Sequence, residues 1–123
     1  MSKEKLTARG KSKNFAVRIV NLYKHLCDIK KEFVLSKQIL RSGTSIGANL
    51  SEAEYAISDK DFLSKVYIAL KETAETIFWL DLLFQTEYLT EAEYNSIYKE
   101  ALGLLKMLKA TTKTLSNKLN SKL

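Results

Sequence analysis

GTSIGANLSEA, residues 43–53, sets two of the chain's four glycines four positions apart in a sequence that contains no proline. Two readings compete for it: a loop that cradles a ligand, or the inside of a helix. A loop resets helical register, so the apolar spacing on its two sides has no reason to agree. Here it agrees. Leu35, Ile39, Ile46, Leu50, Ala53 and Ile57 are spaced 4, 7, 4, 3 and 4, and Gly43 fills the gap. The spacing predicts one helix over 36–57, capped by Ser36. A phosphate-binding loop would need Gly-Lys followed by Ser or Thr, and a strand before it; neither is present. A helix-interior glycine costs about 1 kcal/mol relative to alanine. Close approach of a neighbouring backbone, or a kink, is therefore expected at these positions.

The same periodicity extends in both directions. Phe15, Ile19, Leu22, Leu26, Ile29 and Phe33 form one stripe, predicting a first helix over about 13–30 behind a basic, flexible tail at 1–12. After the glycine helix, Ser58 and Asp61 read as a capping pair with Ile57 and Phe62 as its hydrophobic staple. The stripe that follows, Phe62, Val66, Leu70, Ala74, Ile77 and Phe84, predicts a third helix over 59–88. Thr90 and Glu93 form a capping box, flanked by Leu89 and Tyr94. From there Tyr94, Tyr98, Ala101, Leu105, Leu108, Thr112, Leu115 and Leu119 predict a fourth helix over 90–120. Four helices joined by short connections make one all-α domain over 13–120, an up-down antiparallel four-helix bundle.

Composition excludes several classes. At 123 residues with 46% hydrophobic content, the chain can bury a core without metals or disulfides. Cys27 is the only cysteine and no export signal is visible, which favours the cytoplasm. The most apolar run, TIFWLDLLF, falls well short of a membrane span and is interrupted by Asp81. His25 is the only histidine, and Cys27, two positions on, points to nearly the opposite side of a helix. No Cys/His pair, no Glu-x-x-His metal motif and no cofactor-binding pattern appears, so no enzyme, cofactor, metal site or small-molecule substrate is expected.

What remains is charge and surface shape. Residues 1–35 hold nine basic against three acidic side chains, 58–88 three against six, and 89–123 six against three. The basic charge thus belongs to the first and fourth helices, neighbours in an up-down bundle. Lys11, Lys13, Arg18, Lys24, Lys106, Lys109, Lys113 and Lys118 are the candidate phosphate contacts, with Lys3, Lys5 and Lys122 near the same end. A solvated face is the alternative, because Glu52, Glu54, Asp59 and Asp61 lie at that end too. On the second helix, Arg41, Ser45, Asn49 and Glu52 make a polar row. It is either a solvated flank or a network in which Arg41 pairs with Glu52, Glu72 or Glu75. On the third helix, Ile68, Trp79, Leu82 and Leu83 form a second apolar strip, a candidate oligomer interface.

The segments LSKQILRSGTSIGANLSEA, ALKETAETIFWLDLL and YLTEAEY resemble, in order and spacing, the bacterial four-helix bundle family of 23S rRNA intervening-sequence proteins, over about residues 12–115. That resemblance implies an up-down bundle. Relatives used by diversity-generating retroelements form pentamers that bind nucleic acid and a reverse transcriptase. It therefore implies a homo-oligomer, a pentamer by analogy, with nucleic acid (RNA or DNA) and a reverse transcriptase as candidate partners. Two functions are left open: an oligomeric accessory protein that binds nucleic acid without reading its sequence, and a protein interaction scaffold.

Overall fold

The computed structural model describes residues 7–121. Four helices follow one another: α1 (Ala8–Asp28), α2 (Leu35–Ala53), α3 (Asp59–Gln85) and α4 (Glu91–Ser121). Each packs on its neighbours in sequence, and α4 returns to α1, so the helices form a closed ring of four. Cross-helix partners fix the antiparallel sense. Gly43 lies by Ile19 and Gly47 by Ser12; Arg41 meets Glu72 while Glu52 meets Lys65; Asp81 meets Tyr94 while Tyr67 meets Ser116. This is the up-down bundle expected from the periodicity.

Segment 43–53 is helical throughout, and its glycines are explained by packing. A Cβ on Gly43 would lie 2.8 Å from both Cγ1 and Cγ2 of Ile19, and one on Gly47 would lie 3.3 Å from Ser12 Oγ. Helix α2 thus brings its bare backbone against α1. Ser12, Ser36 and Ser42 are fully buried in the same two helices, and each hydroxyl has a hydrogen-bonding neighbour, as burial of a polar group requires.

Several helix ends differ from those the apolar stripes predict. Helix α1 begins at Ala8, capped by Thr7 Oγ1 accepting from the Gly10 N–H at 3.0 Å, so residues 8–12 are helix; residues 1–6 of the expected tail lie outside the described residues. It ends at Asp28, because Lys31 takes a left-handed conformation (φ 55°) and Glu32 N–H returns to Leu26 O at 2.9 Å. Ile29 and Phe33 therefore leave the stripe and are exposed. Ser36 does not cap α2. Glu32 does so from the preceding turn, accepting from Ser36 N–H at 2.7 Å and Val34 N–H at 3.2 Å. Helix α2 stops at Ala53 rather than 57, which leaves Ile57 94% exposed and no staple with Phe62. The Ser58 cap forms, with Asp61 N–H donating to Ser58 Oγ at 3.0 Å.

The Thr90–Glu93 box closes in both directions, at 2.8 and 3.1 Å, and Leu89 is buried before it. The Thr90 N–H is the main influence holding the Glu93 carboxyl below its ordinary value of 4.5. Helix α3 ends at Gln85 rather than 88, through Glu87 at φ 69° and a Tyr88 N–H bond to Leu83 O at 2.8 Å. Its core face is Val66, Ala69, Thr73, Thr76, Leu80 and Leu83, rotated from the expected stripe. Helix α4 likewise buries Ile97 and Leu104 along with the anticipated Ala101, Leu108 and Thr112.

Candidate nucleic-acid interface

The chain's basic side chains divide into two kinds. Arginines are used within the bundle. Arg9 pairs with Glu54, and Arg41 pairs with Glu72 at 3.2 Å and with Glu75. Arg18 reaches from α1 to α4, donating to Ser96 Oγ at 3.0 Å and Ser96 O at 3.4 Å, with Glu100 at 3.1 Å. Arg18 was expected to face phosphate; it clamps the α1–α4 seam instead, because its guanidinium fits a carbonyl, a hydroxyl and a carboxylate at once.

The lysines expected to contact phosphate are used differently. Lys11, Lys13, Lys24, Lys106, Lys109, Lys113 and Lys118 are all exposed, and among the described residues none forms an ion pair within 4.0 Å. They do not make one patch. Lys11 faces α4, whereas Lys13, half a helical circumference away, lines a groove over the α1–α2 contact with Arg9 and Gly47. On α4, Lys106, Lys109 and Lys113 share a row, and Lys118 lies off it by its spacing of five. Lys99, one heptad before Lys106, extends that row and was not singled out from sequence, although the spacing of seven would have placed it there. Lys3, Lys5 and Lys122 lie outside the described residues.

The α1–α4 seam is the sparsest of the four helix contacts. It opens into a cavity of about 540 Å3 lined by Lys11, Asn14, Ser96, Lys99, Glu100, Gly103 and Leu104. Beyond the Arg18 clamp lies a smaller one of about 270 Å3, which includes His25 and Glu93. His25 Nε2 is buried there without a hydrogen-bond partner. Among the described residues no group of three or more His, Cys, Asp or Glu is arranged to hold a metal, and no helix is long and apolar enough to cross a membrane.

The polar row of α2 joins a network at its start and its end. Arg41 bridges to Glu72 and Glu75, and Glu75 also accepts from Trp79 Nε1 at 2.9 Å. Glu52 lies 3.9 Å from Lys65. Ser45 and Asn49 instead bond to carbonyls of their own helix, at 2.6 and 2.8 Å. The expected apolar strip on α3 is corrected in part. Leu83 is fully buried, because the core face passes through it, and so offers a partner no surface. Trp79 and Leu82 are half-buried and Ile68 is exposed. The outward apolar residues are Tyr67, Ile68 and Phe78, with Phe78 57% exposed and set edge-on against Trp79.

The family profile of 23S rRNA-intervening sequence proteins matches residues 4–110. The chain belongs to that family. A further likeness is to the crystal structure of a protein of unknown function from the S23 ribosomal protein family, from Bacteroides thetaiotaomicron VPI-5482. Identity is 56% and the TM-score 0.86, over 87% of this chain and 99% of that one. No curated protein matches the chain. Membership in the 23S rRNA-intervening sequence family agrees with the fold; the lysine row and the seam cavity are features read from this chain itself.

Proposed function

We propose that this 23S rRNA-intervening sequence protein is a non-enzymatic, oligomeric bundle that binds nucleic acid without reading its sequence. The observation that supports this best is the division of labour among its cations. All three arginines are committed to acids within the bundle, while the lysine row Lys99, Lys106, Lys109 and Lys113 is left exposed and unpaired among the described residues. Such a row attracts phosphates through counterion release and carries no base code. An oligomer presents several copies of it to one polymer, which raises affinity by multivalency.

The test is filter binding across a salt series. Log affinity is expected to fall with log salt by about 0.7 to 0.9 for each phosphate contacted. Replacing Lys106, Lys109 and Lys113 with Glu lowers affinity and slope together and leaves the helical circular dichroism intact. Absence of any complex at low salt, or a triple variant that binds as well as the parent, removes the reading.

A second reading, an interaction scaffold, is favoured by the exposed Tyr67, Ile68 and Phe78 on α3. In both readings the protein assembles with itself, a pentamer by resemblance. A solution mass of 14.0 kDa by light scattering at micromolar concentration would rule assembly out.

A further inference from the structure

Gly103 is a glycine that packing within the bundle does not account for. Gly43 and Gly47 make room for α1, but a Cβ on Gly103 would meet nothing within 4 Å. It sits in the interior of α4, where glycine is the poorest helix former after proline, so the fold alone would be better served by alanine. Its position is the wall of the largest seam cavity. That cavity is an open groove of about 540 Å3, and six of its seven lining residues are exposed, Leu104 alone being buried.

The lining has the chemistry of a nucleotide site. Lys11 and Lys99 supply cations from opposite helices, and Asn14 offers an amide that can both donate and accept. Ser96 accepts from Arg18 and keeps its own proton to give. The missing side chain at Gly103 lets a flat group approach the helix backbone; Leu104 beside it is buried in the core. Glu100, the acid in the lining, is occupied by Arg18.

We propose that this cavity receives an unpaired nucleotide, base inward and phosphate toward Lys11 and Lys99, so that the protein prefers single-stranded to duplex nucleic acid. This rests on the nucleic-acid reading above and narrows it. A duplex keeps its bases stacked and paired and must spend a few kcal/mol per base to extrude one. A single strand offers the base without that cost.

The experiment compares the parent with Gly103→Leu, which fills the cavity, and Gly103→Ala, which adds one methyl group where space is open. The probes are an unstructured single-stranded RNA and the same sequence as a duplex, at fixed salt, read by fluorescence anisotropy. The parent is expected to bind the single strand more tightly. Gly103→Leu is expected to lose about tenfold on the single strand, the equivalent of one good contact, with duplex affinity unchanged. Gly103→Ala is expected to melt no lower than the parent. Asn14→Leu reads the same cavity from the opposite wall and serves if Gly103→Leu does not fold. Binding of both probes that responds to the lysine substitutions but not to Gly103→Leu or Asn14→Leu overturns this inference and leaves the broader reading standing. Failure of both probes to bind at low salt overturns both. A change of assembly mass in Gly103→Leu, with RNA affinity intact, assigns the cavity to a second copy of the chain and also overturns it.

Discussion

Ile19 lies across Gly43 so closely that the smallest side chain at residue 43 would place its Cβ 2.8 Å from two carbons of the isoleucine and 3.2 Å from a third. Those carbons are at and next to a branch point, in a residue with no exposed surface, so they cannot swing aside. Gly43→Ala is expected to lower stability, since overpacking costs about 1 to 3 kcal/mol and improved helix propensity returns about 1. Gly47→Ala, facing Ser12 Oγ at 3.3 Å, is expected to melt near the parent. Adding Ile19→Ala to Gly43→Ala should cost less than the sum of the two alone. Equal melting of Gly43→Ala and Gly47→Ala would show that α1 can back away from α2.

Glu32 holds the start of α2. Burial acts to raise its pKa, but backbone N–H donors from Ser36, Leu35 and Val34 outweigh that and hold the carboxyl below its ordinary 4.5. A depressed folded value means the contribution to stability is complete above about 4.5 and is lost as pH falls through the folded value. Glu32→Ala should cost about 1 to 3 kcal/mol near neutrality by orphaning those donors. Urea midpoints for parent and variant should converge on acidification. A constant difference down to the acid limit would assign the cost to packing instead.

Tyr94 stacks between Phe84 and Tyr98 and donates its hydroxyl to Asp81. Burial first, then the hydrogen bond and the nearby charge of Asp81, push its pKa up to about 12. A raised folded value stabilises the fold below the ordinary 10.0, and that stabilisation is lost as pH rises through about 12. Tyr94→Phe keeps the stack and should cost about 1 to 2 kcal/mol at neutral pH. By ultraviolet titration the parent should show a tyrosine ionising near 12 that the variant lacks.

Arg18 gives a contrasting outcome. As a clamp on Ser96 and Glu100 it is worth about 0.2 to 1 kcal/mol, the range of exposed pairs. Arg18→Ala should therefore melt slightly lower and leave the salt slope of nucleic-acid binding unchanged. A slope reduced by about one contact would place Arg18 on phosphate.

The bundle was legible because α1 and α2 each bury a single stripe, and apolar spacing finds one stripe well. On α3 the same method slipped. Its central positions are Ala69, Thr73 and Thr76, small or polar residues that apolar counting passes over, whereas Leu70 and Ile77 flank the core. Thr73 and Thr76 can be buried because their hydroxyls bond to Ala69 O and Glu72 O, and Thr76 also reaches Ser42. That compensation exists only in three dimensions. Ser36 was misread for a similar reason, since its sequence context is that of a cap while the carboxylate that caps comes from Glu32. At the candidate interface, spacing found the α4 lysine row but could not show that Arg18 is consumed within the bundle. Nor could it show that Gly103 faces open space.

The sparse α1–α4 seam also bears on how the chain reaches its fold. The α1–α2, α2–α3 and α3–α4 contacts each join consecutive helices, so most of the core assembles from partners close along the chain, the arrangement associated with fast folding. Only α1 on α4 must close a loop spanning most of the sequence, and it is the contact with least to gain from closing early. Substitutions along that seam should therefore change the unfolding rate and leave the folding rate nearly untouched. The protein can vary the residues of this edge while the nucleus formed by the other three contacts continues to set the fold.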